Sequence, residues 1–492
     1  MSIAVVMGTG WQSGYHTAMR ILILALLCCL PSLAGADGLP DLGDASEIAL
    51  SPQQERQIGE QSMLQIRADK DYLGDSEIND YLNRLGYRLV SNSNDPGQTF
   101  EFFAVNDNTI NAFALPGGFI GVNTGLIILA QSESELAAVM AHEIAHVTQH
   151  HLARMVAKQK IDSLTSMAAL AVAILAARTN PQASQAAIMG AGASSMQRQL
   201  NYTRQHEKEA DRIGLETLEK SGFDVRAMPA FFKLMQNSTR LLDNNTPSWL
   251  LTHPVTTERI ADIENRIQDL PYKQVPDSLD FQLVRAKLMV SAKTPRVAIR
   301  YFQDALGPNK FGNPVMQRYG LTEALFQAGD VQQASQQLAI LRQQSGPNDM
   351  IDTLSGQIYR AEGMPGAKLA TFYSNATQAF PQHRALAYDY ADLLIDEKRY
   401  DEALKQLDDR ISTYPNDARL YELEARTYAA LGKPQEEHHA QAYAYYLHGD
   451  LHGAIQQLQL AKQSGSDYYQ LSIIDSELRQ FRQMMPAVRK HQ

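Results

Sequence analysis

The chain of 492 residues is long enough for two or three domains that each bury a hydrophobic core. Its composition is 44% hydrophobic and 20% charged, with a mean hydropathy of −0.30, as in soluble globular proteins. The formal charge of −10, with no basic stretch to offset it, excludes a nucleic-acid-binding protein, so no nucleic acid is expected among its partners.

The N-terminus predicts a secretory signal peptide at residues 1–36. Arg20 precedes a short apolar run at 21–30, and a small-residue triplet ends at Ala36. The run is too short for a membrane span, which needs about 20 apolar residues. We expect cleavage after Ala36, with Met19 as an alternative start of translation to Met1.

Both cysteines of the chain, Cys28 and Cys29, lie inside this apolar run. Leu27 stands where a lipoprotein signal needs a small residue, so lipid attachment is the less favoured alternative. The mature chain is therefore expected to contain no cysteine. This suits, without requiring, an oxidising compartment, and we expect the bacterial periplasm.

The first predicted elements of the mature chain are helical, and short strands follow them. Ser51 with Pro52 and Gln54 is typical of a helix start, and the helical region is expected to reach about Val90. Aromatic and β-branched residues, interrupted by a Gly-Gly turn signal, then predict strands at 100–105, 112–115 and 119–122.

A capping signal at Ser132 begins a long helix that is predicted to run to about Lys158 and contains the motif His142-Glu143-Ile144-Ala145-His146. Residues four apart share one helix face, so both imidazoles can bind one metal ion. Zinc suits imidazole and carboxylate ligands with one open position, and Glu143 is placed to accept a proton from water at that position.

The third ligand is not a histidine close behind this motif. The metzincin pattern needs glycine and histidine where the chain has Gln149 and Leu152. His150 lies about 12 Å along the helix axis from His142, so these two residues cannot share an ion. We interpret His150 and His151 as surface or supporting histidines.

The uncharged segment 163–177 precedes the next acidic cluster. As a helix it would span about 22 Å, less than the roughly 30 Å of a hydrocarbon core. We expect a helix buried in the peptidase core. The alternatives are a flap over the active site, or a surface for peripheral contact with a membrane or with unfolded apolar substrate.

Glu207 is the first acidic residue after Asp162, and it lies four residues before Asp211 on a predicted helix. Glu207 can complete a zinc triad, while Asp211 can accept the free N–H of a ligand histidine and fix its tautomer. Glu209 is expected to face solvent. A charged helix face with no ligand role is the alternative.

After a predicted linker at 269–280, the chain repeats. Pro347, Pro381 and Pro415 are each 34 residues apart, the period of tetratricopeptide helix pairs. A small residue followed four later by a large apolar one recurs as Ala298/Phe302, Ala334/Leu338, Ala403/Leu407 and Ala454/Leu458, with Lys368/Phe372 at the missing step. The spacing of 51 residues between the last two Ala pairs indicates a slip of half a repeat.

These motifs, together with the segment 111–118 (Asn-Ala-Phe-Ala-Leu-Pro-Gly-Gly), resemble the gluzincin peptidases related to the CAAX prenyl protease and HtpX. The resemblance implies that His142, His146 and Glu207 bind one Zn²⁺ per chain and that Glu143 is the catalytic base. It also implies a substrate-pairing edge strand that includes Asn111, Ala112, Phe113, Ala114 and Leu115.

Within that family, an exported peptidase followed by tetratricopeptide repeats resembles the β-barrel assembly-enhancing proteases of the Gram-negative periplasm. This implies quality control of unfolded or stalled outer-membrane proteins and contact with the outer-membrane β-barrel assembly machinery through the repeats. We therefore expect a mainly α protein with a small β-sheet, in which a gluzincin-type metallopeptidase domain (37–270) is followed by an all-α tetratricopeptide solenoid (275–485).

His253, followed by Pro254 and Arg259, also resembles the family. His253 could stabilise an oxyanion or occupy the open zinc position as a removable latch. The alternative is a histidine that only ends a loop before a helix.

Other functions remain open from the residues alone. A non-proteolytic periplasmic chaperone or assembly scaffold would need a structural or latched zinc site with a fourth protein ligand. The repeats could recruit a partner, hold substrate or only cap the peptidase. A membrane-embedded prenyl-type protease is disfavoured because long apolar spans are absent.

Overall fold

The protein is described by a computed structural model for residues 50–159, 193–241, 248–307 and 312–484. The predicted signal peptide and the apolar segment 163–177 lie outside these described residues. Within the described ranges, every helix is too short or too polar to cross a membrane.

The part of the chain before the predicted linker is a helical domain with one small sheet. Its described helices are α1 (Pro52–Arg67), α2 (Ser76–Val90), α3 (Thr124–Leu129), α4 (Glu133–Thr148), α5 (His151–Gln159), α6 (Ala193–Lys220), α7 (Ala227–Leu241), α8 (Ser248–Thr252) and α9 (Thr257–Ile267). Its strands are β1 (Tyr72–Leu73), β2 (Glu101–Val105), β3 (Ala112–Leu115) and β4 (Phe119–Asn123). The predicted mainly α class with a small sheet is confirmed.

The sheet has the order β1-β2-β4-β3, so β3 lies at an edge. β2 and β4 are parallel, and the other two pairs are antiparallel. Along the outer edge of β2, amide side chains from α2 take the place of a longer partner strand: Asn83 bonds to the backbone of Phe102, and Asn79 accepts from the N–H of Ala104. This edge of the sheet is thus covered, and β3 forms the opposite edge.

The turn between β3 and β4 explains the Gly-Gly signal. Gly117 and Gly118 have φ angles of 75° and 87°, which side chains other than glycine rarely adopt. A Cβ atom at Gly118 would lie 2.2 Å from the carbonyl oxygen of Thr99. Close packing and backbone conformation both require glycine here.

Two predicted helices are interrupted. The capping box of Ser51 and Gln54 is present, but the region up to Val90 is two helices separated by β1. The helix beginning after Ser132 ends at Thr148 rather than continuing to Lys158, because His150 adopts a left-handed φ of 49°. A helix cannot pass through that conformation, so α5 begins as a separate element.

The second half of the described chain consists of stacked helices. They are α10 (Leu279–Ser291), α11 (Pro295–Ala305), α12 (Pro314–Gln327), α13 (Val331–Gln344), α14 (Asp349–Ala361), α15 (Gly366–Ala379), α16 (Arg384–Asp396), α17 (Tyr400–Thr413), α18 (Ala418–Ala430), α19 (Pro434–Leu447), α20 (Leu451–Ser464) and α21 (Tyr468–Met484). All four Ala/large pairs of the predicted repeat are buried. Ala403 and Ala454 are three helices apart, which accounts for the half-repeat slip.

One predicted repeat pair is wrong. Lys368 is exposed and Phe372 is only half buried, whereas Leu369 and Tyr373 are buried. Leu369 occupies the fourth position of α15, the position that alanine holds in the helices with the other pairs. The larger pair is accommodated because Gly356 lies against the ring of Tyr373, where a Cβ would approach within 2.5 Å.

The predicted linker is anchored to the first turn of α4. The carboxylate of Glu133 accepts hydrogen bonds from the backbone N–H and hydroxyl of Ser278 and from the hydroxyl of Tyr81. In return, the N–H of Glu133 donates to Asp277 at 2.7 Å. These bonds fix the start of the repeats relative to the helix that carries the histidine motif.

The peptidase region and the first repeats share one hydrophobic core. Phe281 and Val284 of α10 belong to the same buried cluster as Tyr81 and Ile127, and the rings of Tyr81 and Phe281 lie 6.4 Å apart. A cut near residue 275 would expose this surface. The proposed boundary between 270 and 275 is therefore a boundary in topology and not between separate cores.

A buried ion network joins α2 to the repeats. Glu77 lies 2.5 Å from Lys287 Nζ and 3.2 Å from His383 Nε2, and His383 Nδ1 lies 3.0 Å from Asp349. Burial raises the pKa of Glu77, but Lys287 and His383 outweigh it and lower this pKa to about 2. Burial lowers the pKa of His383, but Asp349 and Glu77 outweigh it and raise this pKa to about 9.

His383 should make the stability of the fold depend on alkaline pH. Because its pKa is raised on folding, its stabilisation is complete below the unfolded value of about 6.5 and is lost as pH rises through about 9. We expect His383→Gln to lower the free energy of unfolding at pH 6 by at most about 3 kcal/mol, and by little at pH 10. Urea unfolding of both proteins at several pH values measures this.

The exposed His452 of the same solenoid provides the control. His452→Gln should follow the wild-type profile throughout. An equal loss of stability for His383→Gln at pH 6 and pH 10 would contradict a role for its charge.

Candidate active site

Helix α4 places the histidine motif inside the protein. His142 and Glu143 are buried, as are the adjoining Ala141 and Ile144. The Nε2 atoms of His142 and His146 face each other at 3.0 Å. The predicted sharing of one helix face therefore brings both imidazoles to a single point.

Helix α6 brings a carboxylate to the same point. Oxygens of Glu207 lie 3.5 Å from His142 Nε2 and 3.4 Å from His146 Nε2. One turn later, Asp211 Oδ1 lies 3.1 Å from His142 Nδ1. The predicted pairing of Glu207 and Asp211 with the histidine motif is present in the geometry.

Gly214 explains how α6 comes so close to α4. A Cβ atom at this position would lie 3.1 Å from the backbone N and Cα of His142, tighter than ordinary packing allows. Gly214 follows Asp211 by three residues and Glu207 by seven, so all three lie on the same helical stripe. That spacing was a usable sequence signal, although sequence analysis had missed it.

His253 also joins the cluster. Its Nδ1 lies 3.0 Å from Glu207 Oε1 and 3.4 Å from His142 Nε2. His142, His146, Glu207 and His253 each offer a ligand atom within 4.8 Å of the others. His253 does more than end a loop, since it stands where a fourth donor would.

Trp249 was not anticipated from the sequence. Its indole N–H donates to Glu143 Oε1 at 3.0 Å, and its ring stacks on that of His253 at 5.0 Å. Its backbone N–H bonds to the carbonyl of Ile110, just before β3. Helix α8 thus covers Glu143 and the start of the edge strand. Two features of the sequence could have indicated this contact: Trp249 and His253 are four residues apart, and Trp249 is one of only two tryptophans in the chain.

Arg259 of α9 neutralises the carboxylates behind the histidines. Its guanidinium makes two bonds of 2.7 Å to Asp211 and lies 2.9 Å from Glu207. The same group donates to the carbonyl of Pro254 at 2.9 Å. Arg259 therefore links helix α6 to the loop that carries His253.

The donor set fits a divalent metal ion. Glu143, Glu207 and Asp211 formally carry three negative charges against one positive charge on Arg259, which leaves two uncompensated. Ligand bonds of about 2.0–2.1 Å in a tetrahedron place donor atoms roughly 3.3 Å apart, close to the separations found here. The chemistry of imidazole and carboxylate donors with an adjoining base is that of a metallopeptidase site.

The pKa of His142, unlike that of His146, reflects this excess of negative charge. Burial lowers the pKa of His142, but the carboxylates of Asp211 and Glu207 outweigh it and raise this pKa to about 9. For His146, burial prevails and holds the pKa well below its usual range. A metal ion bound at His142 Nε2 would take the place of a proton.

The histidines behind the motif have different environments. His150 is half buried, and its Nδ1 lies 3.3 Å from Glu55 of α1. His151 is buried, and its ring stacks on that of His206 at 4.1 Å. Glu209, expected to face solvent, instead lies 3.1 Å from His151 Nε2 and 3.0 Å from Arg154. Glu209 is thus only partly exposed, and it meets these partners because the break at His150 returns α5 toward α6.

The predicted substrate strand, β3, lies at one edge of the sheet. Ala112, Phe113 and Leu115 are buried and Ala114 is half buried. Asn111, also buried, precedes the strand and accepts from the N–H of Asn123. β3 pairs with β4 on one side, and no other strand of the described residues pairs with it.

Two protein families match this chain, one in the part before the linker and one in the repeats. Residues 76–267 match peptidase family M48, and residues 370–427 match a tetratricopeptide repeat family. The chain is 34% identical over 454 residues to the beta-barrel assembly-enhancing protease of Escherichia coli strain K12, covering 91% of this chain and 92% of that one.

Two further relatives match more locally. A putative beta-barrel assembly-enhancing protease of Vibrio cholerae is 44% identical over 263 residues, 53% of this chain and 54% of that protein. A mitochondrial metalloendopeptidase, OMA1 of Schizosaccharomyces pombe, is 28% identical over 194 residues, 39% of this chain and 54% of that protein.

The predicted resemblance to the β-barrel assembly-enhancing proteases is confirmed. The nearly full-length match agrees with the histidine motif, the carboxylates of α6 and the repeats. The chain belongs to the beta-barrel assembly-enhancing protease family of M48 metallopeptidases.

Proposed function

We propose that this protein is a periplasmic zinc endopeptidase that degrades misfolded or stalled outer-membrane proteins and, through its repeats, assists outer-membrane protein assembly. The observation that carries the enzymatic part is the convergence of His142, His146 and Glu207 beside Glu143. The relatives named for β-barrel assembly support the choice of substrate and pathway. The predicted signal peptide supports export.

His142 Nε2, His146 Nε2 and Glu207 would hold one Zn²⁺ per chain. When bound, this ion would supply a Lewis acid for the scissile carbonyl and an activated water as nucleophile. Asp211 would hold His142 in the tautomer that presents Nε2 to the ion.

Glu143 would act as the general base and then the general acid. Its carboxylate accepts the proton of the attacking water and passes it to the leaving amine. An extended substrate would add to β3 through backbone hydrogen bonds, which select for an unfolded conformation more than for particular side chains. This explains why misfolded or stalled chains are suitable substrates.

His253 and Trp249 would form a latch. His253 offers a fourth donor atom to the cluster, and the indole N–H of Trp249 donates to Glu143. Both lie on or beside α8, which also bonds to Ile110 at the entry to β3. Movement of this one short helix would free the base, the open ligand position and the substrate edge together.

A second candidate function has one observation in its favour. With His253 as a fourth protein ligand, the site would be closed in the manner of structural zinc sites. The protein would then be a non-proteolytic chaperone or assembly scaffold. This alternative gives no role to Glu143, which lies beside the cluster.

Glu143→Gln tests the proposed chemistry. The amide can still accept the Trp249 hydrogen bond, but it cannot take a proton, so kcat on an unfolded outer-membrane protein should fall at least about 100-fold. Zinc content, measured by atomic absorption, should be unchanged. Near-normal cleavage by this variant would rule out the mechanism.

His253→Ala tests the latch. If the latch leaves about a tenth of the molecules open, its removal should raise the initial cleavage rate about tenfold. Thr252→Ala, at the neighbouring exposed position, is the control and should behave as wild type. A fall in activity would assign His253 to oxyanion stabilisation, and activity absent from every variant would favour the scaffold.

The repeats are proposed to contact the assembly machinery. Tyr468 and Tyr469 at the start of α21 are 88% and 72% exposed, as is typical of binding surfaces. A photo-crosslinking amino acid at either position should give adducts with the machinery in vivo. The same probe at Tyr272, 68% exposed in the linker, is the control; equal adducts from all three positions would contradict a specific contact.

A further inference from the structure

His151 reaches the candidate metal site by way of a break in the helix. In an uninterrupted helix, residue 151 would project about 140° away from residue 146. The left-handed backbone of His150 instead turns α5 back, and His151 Nδ1 lies 2.9 Å from His146 Nδ1. His150 is itself held by Glu55 of α1. The strained turn thus serves to bring two imidazoles together.

The contact has a unique arrangement of protons if His146 binds a metal. Its Nε2 faces His142 and Glu207, so Nδ1 must keep the proton and donate it to His151 Nδ1. His151 then carries its own proton on Nε2, which lies 3.1 Å from Glu209. Each imidazole nitrogen of His146 and His151 therefore has one defined role, either as a donor, as an acceptor or as a metal ligand.

The carboxylate at the end of this chain is also fixed. Arg154 Nη1 donates to Glu209 Oε2 at 3.0 Å, the oxygen that accepts from His151. Stacking of His206 on His151 at 4.1 Å, with only 4° between the ring planes, holds the imidazole from its face. The two ligand histidines are thus supported differently: His142 by the carboxylate of Asp211, and His146 by a buried imidazole.

We propose that His151 is a positioning residue for the metal ligand His146, with Glu209 fixing the tautomer of His151. This rests on the proposed function, because it requires His146 to bind zinc through Nε2. Residues that orient metal-binding histidines in this way typically change metal affinity about 10–100-fold when they are removed. His151 should therefore affect the metal site itself and not only the fold around it.

Three variants of the full chain test the assignment. His151→Leu keeps bulk but removes the acceptor, and should weaken Zn²⁺ affinity about 10–100-fold in competition with a chelating dye. The visible absorption of the Co²⁺-loaded protein should change with it, and kcat should fall more than KM rises. His151→Asn places a carbonyl oxygen near the position of Nδ1, and should restore affinity and spectrum to near wild type.

Glu209→Ala provides a variant that does not disturb the buried core, since this side chain is 31% exposed. It should weaken Zn²⁺ binding severalfold. Glu216→Ala, on the same helix but paired with Arg212 at the surface, is its control and should bind as wild type.

The outcomes separate this inference from the proposed function. A wild type that takes up no Zn²⁺ would overturn both. Tight binding by the wild type, with equal affinity and the same cobalt spectrum in His151→Leu and Glu209→Ala, would overturn the positioning role alone. If His151→Leu does not fold, the comparison of Glu209→Ala with Glu216→Ala still decides.

Discussion

The close packing of α6 on α4 is the constraint on which the rest of the site depends. Two histidines on one helix and two carboxylates on the other can meet only because Gly214 lets the backbones approach. The result is a buried cluster with more negative than positive charge, which is unfavourable in an apolar interior unless cations compensate it. The surrounding elements can be understood as the means of compensation: Arg259 supplies one positive charge, and the proposed metal ion would supply two more.

The guanidinium of Arg259 not only compensates this negative charge but also contacts the segment that covers the candidate site. Arg259 binds Asp211 and Glu207 on α6 and also the carbonyl of Pro254, immediately after His253. The segment from α8 to α9 is thus tied at one end to the carboxylates of α6, while Trp249 at its other end bonds to Glu143. If the proposed latch opens, Trp249 and His253 could move while the bonds of Arg259 to the carboxylates stay in place. In that proposal, charge compensation and opening would depend on different contacts of one segment.

Much of this was predictable from sequence because it depends on helical periodicity. The four-residue spacings of His142 with His146, and of Glu207 with Asp211, placed these side chains on one helix face each, and four of the five predicted repeat pairs are buried. The failures come from contacts between distant segments. Nothing local showed that His150 would adopt a left-handed conformation and bring His151 and Glu209 together, and the contact of Trp249 with Glu143 joins residues 106 positions apart in the sequence. At Lys368, the period suggested the right helix but the wrong face, because Gly356 provides space for a larger pair one position later.

The core shared by the peptidase region and α10 has a consequence for biogenesis. The cluster around Tyr81 and Ile127 lacks Phe281 and Val284 until the chain has been made past residue 290 or so. A nascent chain that ends earlier holds both segments of the proposed metal site but cannot finish the interior that aligns them. We therefore expect that a product truncated before α10 could not complete the interior around the candidate site, so it would be inert and not an unregulated protease.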